Sequence, residues 1–252
     1  MYKRQLLSFV SITSPKTDDG ALSRSPIGTG PYKFKSWDNQ VFAVERFDAY
    51  WGKRPEVEGA TYMWRGDSAL RAAMVKVGEA DIAADIATQD ATDPKLDFGY
   101  LNGETTRLRF VFKPPLDDLR VRKAVNLAID RQALRDGLFN EDFVPATQLF
   151  LPKINGYNPD LKVWPYDPAM AKKLLAEAKA AGVPIDKEIR LVARTSFYPN
   201  GQEAMQAMMQ MLQAVGLNIK LQMMDRAQWL KLVNKPFSDD RGPMPVSYTH
   251  LY

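Results

Sequence analysis

At 252 residues the chain is long enough for one large domain or two lobes, and 45% hydrophobic with 25% charged residues is ordinary for a globular protein. The net charge of +4 comes from basic residues interspersed with acidic ones, so no basic run marks a nucleic-acid track. The absence of cysteine excludes disulfides and thiolate catalysis, and the lone histidine, His250 near the end, is a poor basis for a catalytic triad or a multi-histidine metal site.

No run approaches the roughly 18 apolar residues of a membrane helix. MYKRQLLSFV, at the start, lacks the apolar stretch and small-residue cleavage site of a signal peptide. Residues 25–37 read SPIGTGPYKFKSW. The paired glycines suggest a phosphate loop, but such a loop must run straight into a helix. Here Pro31 and then an alternating, strand-like run follow, and no lysine stands at the P-loop position. The glycines are therefore read as a tight turn before a hairpin. The hairpin spans PYKFKSWDNQVFAVERF, with Asp38-Asn39 between its arms.

RPEVEGATYMWR supplies another short strand, and Asp67 caps a helix that runs through Val77 and stops at Gly78. ADIA, 80–83, is a short buried-strand candidate. RLRFVF from 107 alternates and ends at Pro114-Pro115, which cannot continue a central strand. Val121, Ala124, Val125, Ala128 and Ile129 then recur at helical spacing. Residues 140–166 have the composition of a long loop. Asp167-Pro168 opens a helix that reaches Ala181 and stops at Gly182.

EIRLVAR (188–194), a loop, a helix from Asn200 to Gly216 and LNIKLQM (217–223) form a βαβ unit, whose strands are expected to be parallel. Ligands of open α/β sheets collect outside the carboxyl ends of strands. That rule singles out the loop Arg194, Thr195, Ser196, Phe197, Tyr198 and Asn200 as a cleft wall. Arg194 suits a ligand carboxylate, with a surface salt bridge as the alternative. Phe197 and Tyr198 would stack on ligand side chains. Asn200 reads first as a helix cap and second as a ligand group. The methionines of 205–224 read as core filler, Asp117-Asp118 as helix-capping residues, the acids near 79–85 as solvated, and Trp51, Trp64, Trp164 and Trp229 mostly as packing anchors.

Four segments, in order, carry a resemblance. SPIGTGPYKFKSW with ERFDAYWGKRPEVEGATY, then ALRAAMVKVGEADIA, then FKPPLDDLRVRKAVNLAIDRQAL, then YDPAMAKKLLAEAKAAG resemble family 5 extracellular solute-binding proteins of ATP-binding-cassette importers. The resemblance covers residues 14 to about 235. It implies an α/β clamp like the type II periplasmic binding proteins, incomplete here at both ends, so that the sequence reads as an internal fragment. Residues 1–113 would belong to the first lobe and 114–244 to the second, with a hinge crossing in RLRFVFKPP. MYKRQ and residues 245–252 match nothing in the family and are expected to be non-native.

The implied activity is capture of a peptide between the lobes without covalent chemistry, hence no catalytic residues, no cofactor and no metal. The implied partners are a peptide or small-molecule ligand and the membrane permease, with no nucleic acid and a monomeric state. The implied location is periplasmic, or extracellular and membrane-attached. A nickel chelate, an opine or an oligosaccharide remains an alternative ligand. An α/β enzyme is a further alternative, disfavoured by the absence of a G-x-S-x-G elbow. The isolated 252-residue chain is expected to bind poorly, because half the cleft would be missing.

Overall fold

The computed structural model describes residues 13–21, 24–99, 105–140, 143–152, 154–237, 241–243 and 245–250. MYKRQ and the last two residues of the supposed tail lie outside these. The chain forms two compact units, 1–66 and 67–252. The expected lobe boundary at 113/114 falls inside the second unit.

The first unit is a three-stranded antiparallel sheet, β1 (Tyr32–Asp38), β2 (Val41–Arg46) and β3 (Gly59–Met63), in the order β1-β2-β3. Asn39, at φ 40°, sits in the turn between the first two strands, where Asn tolerates the left-handed region. Period-two alternation places Trp37, Phe42 and Tyr62 side by side across the strands, and Trp64 stacks on Trp37 at 6.1 Å. Not one described side chain of this unit is buried. Trp37, Tyr62 and Trp64 are about half exposed and Trp51 is 83% exposed. The expectation that the tryptophans are mostly packing anchors therefore fails: of the four named, only Trp229 is buried. Aromatic rings on a sheet become anchors only when a second layer covers them.

The second unit begins with helix α1 (Ser68–Lys76). Asp67 caps it by accepting from the Leu70 amide at 2.9 Å, and Gly78 at φ 78° ends it, as the sequence predicts. ADIA does not form a strand: Ile82 is 88% exposed and no described strand pairs with it. An apolar tetrapeptide acquires strand geometry only from a neighbour to bond to. Next come β4 (Thr105–Phe110), α2 (Leu119–Ala128), α3 (Arg131–Leu138) and α4 (Pro168–Ala180). The apolar stripe of 121–129 continues past Ala128, but the helix breaks at Ile129. Asp130 then caps α3 by accepting from the Ala133 amide, and Arg131 bridges back to Asn126 and Ile129. Asp118 caps α2 and pairs with Arg120 at 2.7 Å.

The βαβ unit is as expected: β5 (Ile189–Arg194), α5 (Gly201–Ala214) and β6 (Ile219–Met224), with the two strands parallel. Helix α6 (Arg226–Val233) follows under a capping box of Asp225 and Gln228, and the last strand is β7 (Pro245–His250). The sheet order is β4-β7-β5-β6. Residues 245–250 are thus an interior strand of this sheet. They run antiparallel to β4 over six residue pairs and touch β5 in parallel at Val192–Val246. Pro245 opens this strand, a position where its missing N–H is tolerated.

The sheet's alternation sorts its two faces. Ile189, Leu191 and Ala193 of β5 face a core shared with α2, α4 and α5, in which Leu116, Met205 and Leu212 are fully buried. Val192 faces the other way, onto Trp229, Leu232 and Val233 of α6. The methionine expectation holds for Met205, Met208, Met209 and Met223, which pack in or against the larger core.

Candidate functional site

Arg190, Val192 and Arg194 share the α6-facing side of β5, because alternate residues of a strand point the same way. Arg194 is the last residue of β5, so its side chain leaves the sheet at the carboxyl end. Its guanidinium lies 4.2 Å from the Phe197 ring centroid and 5.5 Å from that of Trp229. The residue is half-buried, and its Nε is buried without a hydrogen-bond partner. Burial first, and the nearby Arg226 second, pull its pKa below the ordinary arginine value. Aromatic faces supply part of the stabilisation that a lost water shell supplied, but they offer nothing for the N–H groups to donate to. A planar guanidinium is chemically able to hold a carboxylate by two parallel bonds. The surface salt bridge considered as an alternative is not formed among the described residues.

The loop after Arg194 is tightly shaped. Thr195 donates both its amide (2.8 Å) and its hydroxyl (3.3 Å) to the Met224 carbonyl, which ties the loop to the end of β6. Ser196 and Asn200 both adopt left-handed backbone, at φ 50° and 57°. Such residues cost free energy and persist where the surroundings hold them, which is common at ligand sites. Tyr198 lies 5.7 Å from Phe197 and 6.4 Å from Phe139, and Phe139 stacks on Phe143 at 4.6 Å. Gly201 lets the chain turn here: a Cβ would stand 3.0 Å from the Tyr198 ring.

All six candidate residues thus lie in one loop at a strand's carboxyl end, but their roles separate. Arg194, Phe197 and Tyr198 form a charged centre with an aromatic flank. Thr195 spends its groups on the loop itself, and Ser196, exposed, sets the backbone. Asn200 is not the side-chain cap predicted from the sequence: it stands at the cap position of α5 yet makes no cap hydrogen bond. A left-handed backbone turns its side chain away from the helix amides. Trp229, Arg226 and Phe139 complete the surroundings and were missed. The Asp225-x-x-Gln228 capping box just before Trp229 was a legible signal for α6. A cavity of about 140 Å³ lies elsewhere, beside α1, lined by Ala72, Val75, Ile82, Ile86 and Phe98 among others and by none of residues 194–200.

Among families of known proteins, the model described as "Bacterial extracellular solute-binding proteins, family 5 Middle" matches residues 3–238. The chain is 32% identical over 217 residues to the glutathione-binding protein GsiB of Salmonella paratyphi A, covering 81% of this chain and 40% of that protein. It is 31% identical to a dipeptide-binding protein of Escherichia coli K12, covering 89% of this chain and 45% of that one. In three dimensions it resembles a dipeptide-binding protein from Pseudoalteromonas sp. SM9913 solved with Met-Leu, at TM-score 0.80 and 19% identity, covering 97% of this chain and 51% of the other. It also resembles NikA of Staphylococcus aureus solved with Ni(L-His)2, at TM-score 0.76 and 21% identity, covering 95% and 50%. The chain spans less than half the length of these two curated relatives and about half of the two solved chains.

Proposed function

We propose that this chain, which belongs to the family 5 bacterial extracellular solute-binding proteins, contributes one wall of the ligand site of an importer's receptor for short peptides. The observation that carries the reading is Arg194, a half-buried guanidinium close to two aromatic rings, with no anion paired to it among the described residues, at the carboxyl end of a parallel strand. Every peptide has a terminal carboxylate, so a fixed guanidinium recognises what peptides of different sequence share. Phe197 and Tyr198 supply adaptable apolar contact beside it. Relatives named for glutathione and for dipeptides support a short peptide as the ligand class.

In this reading the receptor closes on its ligand, hands it to a membrane permease and works outside the cytoplasmic membrane. No bond of the ligand is made or broken. The lobe boundary lies at the Pro114-Pro115 step, with a few residues there absorbing the hinge motion. The test is calorimetric titration of the full-length protein with glutathione and with Met-Leu, and with Ni(II)-histidine as a third arm. Saturable heat with either peptide and no product supports the reading. Heat only with the nickel complex transfers it to a chelate receptor, and turnover of any ligand ends it.

A further inference from the structure

Asn200 does not cap its helix with its side chain. Its Nδ2 donates to the Leu138 carbonyl at 2.6 Å and to Gln89 Oε1 at 3.0 Å, while its Oδ1 accepts from Gln89 Nε2 at 3.0 Å. Two side-chain amides thus meet face to face across 111 residues, and the second Asn200 proton holds the end of α3. Three of the four bonding positions of the Asn200 amide are filled. The left-handed φ of 57° makes this possible, and asparagine is the branched polar residue that adopts it most readily.

Gln89 is itself anchored. It lies in a turn closed by the Asp90 and Ala91 amides on the Ala87 carbonyl, with Ala87 buried. The Ser68 hydroxyl reaches Asp90 at 3.4 Å, and Arg71 donates to the carbonyls of Ala84 and Asp85 at 3.1 and 2.7 Å. Residues 84–91 are therefore fastened to α1, and the amide pair fastens the loop 194–200 to them. Gln89 precedes the Pro114-Pro115 step and Asn200 follows it.

We infer that Gln89 and Asn200 are positioning residues: their paired amides form a clasp that holds the Arg194–Tyr198 loop in its ligand-receiving shape and ties it to the segment before the chain crossing. The choice of the ligand loop as the thing positioned rests on the receptor reading above; the clasp itself does not. Breaking the clasp releases the backbone of a loop that keeps two residues left-handed. Fewer molecules then hold Arg194 and Tyr198 ready, and apparent affinity falls in proportion to that fraction.

Hydrogen exchange and titration test this separately. In the ligand-free 252-residue chain, Gln89→Ala raises amide exchange in residues 195–201 about tenfold, the loss of two amide hydrogen bonds of ordinary net strength. Exchange in α4 stays unchanged. Asn200→Gly keeps the left-handed backbone but loses the Leu138 bond along with the pair, so it gives a larger increase, and adding Gln89→Ala to it raises exchange no further. Exchanging the partners, Gln89→Asn with Asn200→Gln, keeps the combined reach of the pair and restores protection at least in part, which a general packing defect would not do. In the full-length protein, Gln89→Ala raises the Kd for glutathione or Met-Leu about fivefold, because fewer free molecules hold the loop ready. Unchanged exchange in Gln89→Ala, or additive effects in the double variant, overturns the clasp. If the exchange results hold and neither peptide binds the unaltered protein, the receptor reading falls and the clasp stands. If both peptides bind and Gln89→Ala leaves their Kd unchanged, the positioning role falls.

Discussion

Replacing Arg194 by methionine separates a ligand group from a structural one, because the two roles have opposite signs. The Arg194 Nε is buried and unpartnered, which costs the folded protein about 1–3 kcal/mol. Its contacts with Phe197 and Trp229 return about 0.5–1 kcal/mol each. Methionine fills a similar length, keeps favourable contact with the rings and has no N–H to satisfy. Stability should therefore stay within about 1 kcal/mol of the original, a shift of a few degrees at most for a chain of this size. Binding should respond differently. A hydrogen bond to a charged group is worth about 1.5–3 kcal/mol, so losing the carboxylate's partner should weaken binding about 10- to 100-fold. Thermal unfolding of the 252-residue chain and calorimetry of the full-length protein with glutathione and Met-Leu read the two effects. A melting temperature lowered by more than about 5 °C with affinity intact would show a structural arginine and refute the assignment.

Four further outcomes are expected. Leu212→Ala, at a fully buried position beneath the βαβ unit, should cost about 2–5 kcal/mol in urea unfolding; a cost below about 1 kcal/mol would mean the core is not packed as described. Arg120 holds the Asp118 carboxyl down to about 2 from its usual 3.8, through their hydrogen bonds first. A depressed folded pKa gives stability that is complete above about pH 4 and fades as pH falls towards 2. Asp118→Asn should flatten that part of the stability–pH curve, and an unchanged curve would refute the pairing. Deleting residues 245–252 removes an interior strand and opens the edges of β4 and β5; lower stability and concentration-dependent aggregation are expected by light scattering, and an unaffected melt would deny the strand its role. Residues 1–66 alone should show no cooperative thermal transition by circular dichroism, since no described side chain there is buried; a sharp melt would contradict this.

The first unit carries an aromatic row across its three strands. Trp37, Phe42, Tyr62 and Trp64 have the spacing and size of one side of a core. A three-stranded sheet without a covering layer has little apolar burial to offset the entropy of ordering. The same holds for Ile82 in the unformed ADIA strand.

What the residues alone determined was local. Asp67, Asp118 and Asp167 cap helices because a short acceptor side chain reaches the free amides one turn on. Gly78, Gly182 and Gly216 end helices because only glycine takes a positive φ without a Cβ clash, and all three do. Alternation in 189–194 and 219–224 around a helical stretch sufficed for a parallel pair, with a loop at the carboxyl end of its first strand. Tertiary structure decided the rest. Periodicity tells which face is apolar, never what will cover it, so Trp229 became buried while Trp51 did not. A strand's identity depends on its neighbours, so ADIA stayed open while PVSYTH entered the sheet. Asn200 carries the local marks of a cap, yet its partner is Gln89, 111 residues away. Side-chain hydrogen bonds reach about 3 Å, and only the folded path of the backbone can bring two amides that far apart in sequence so close.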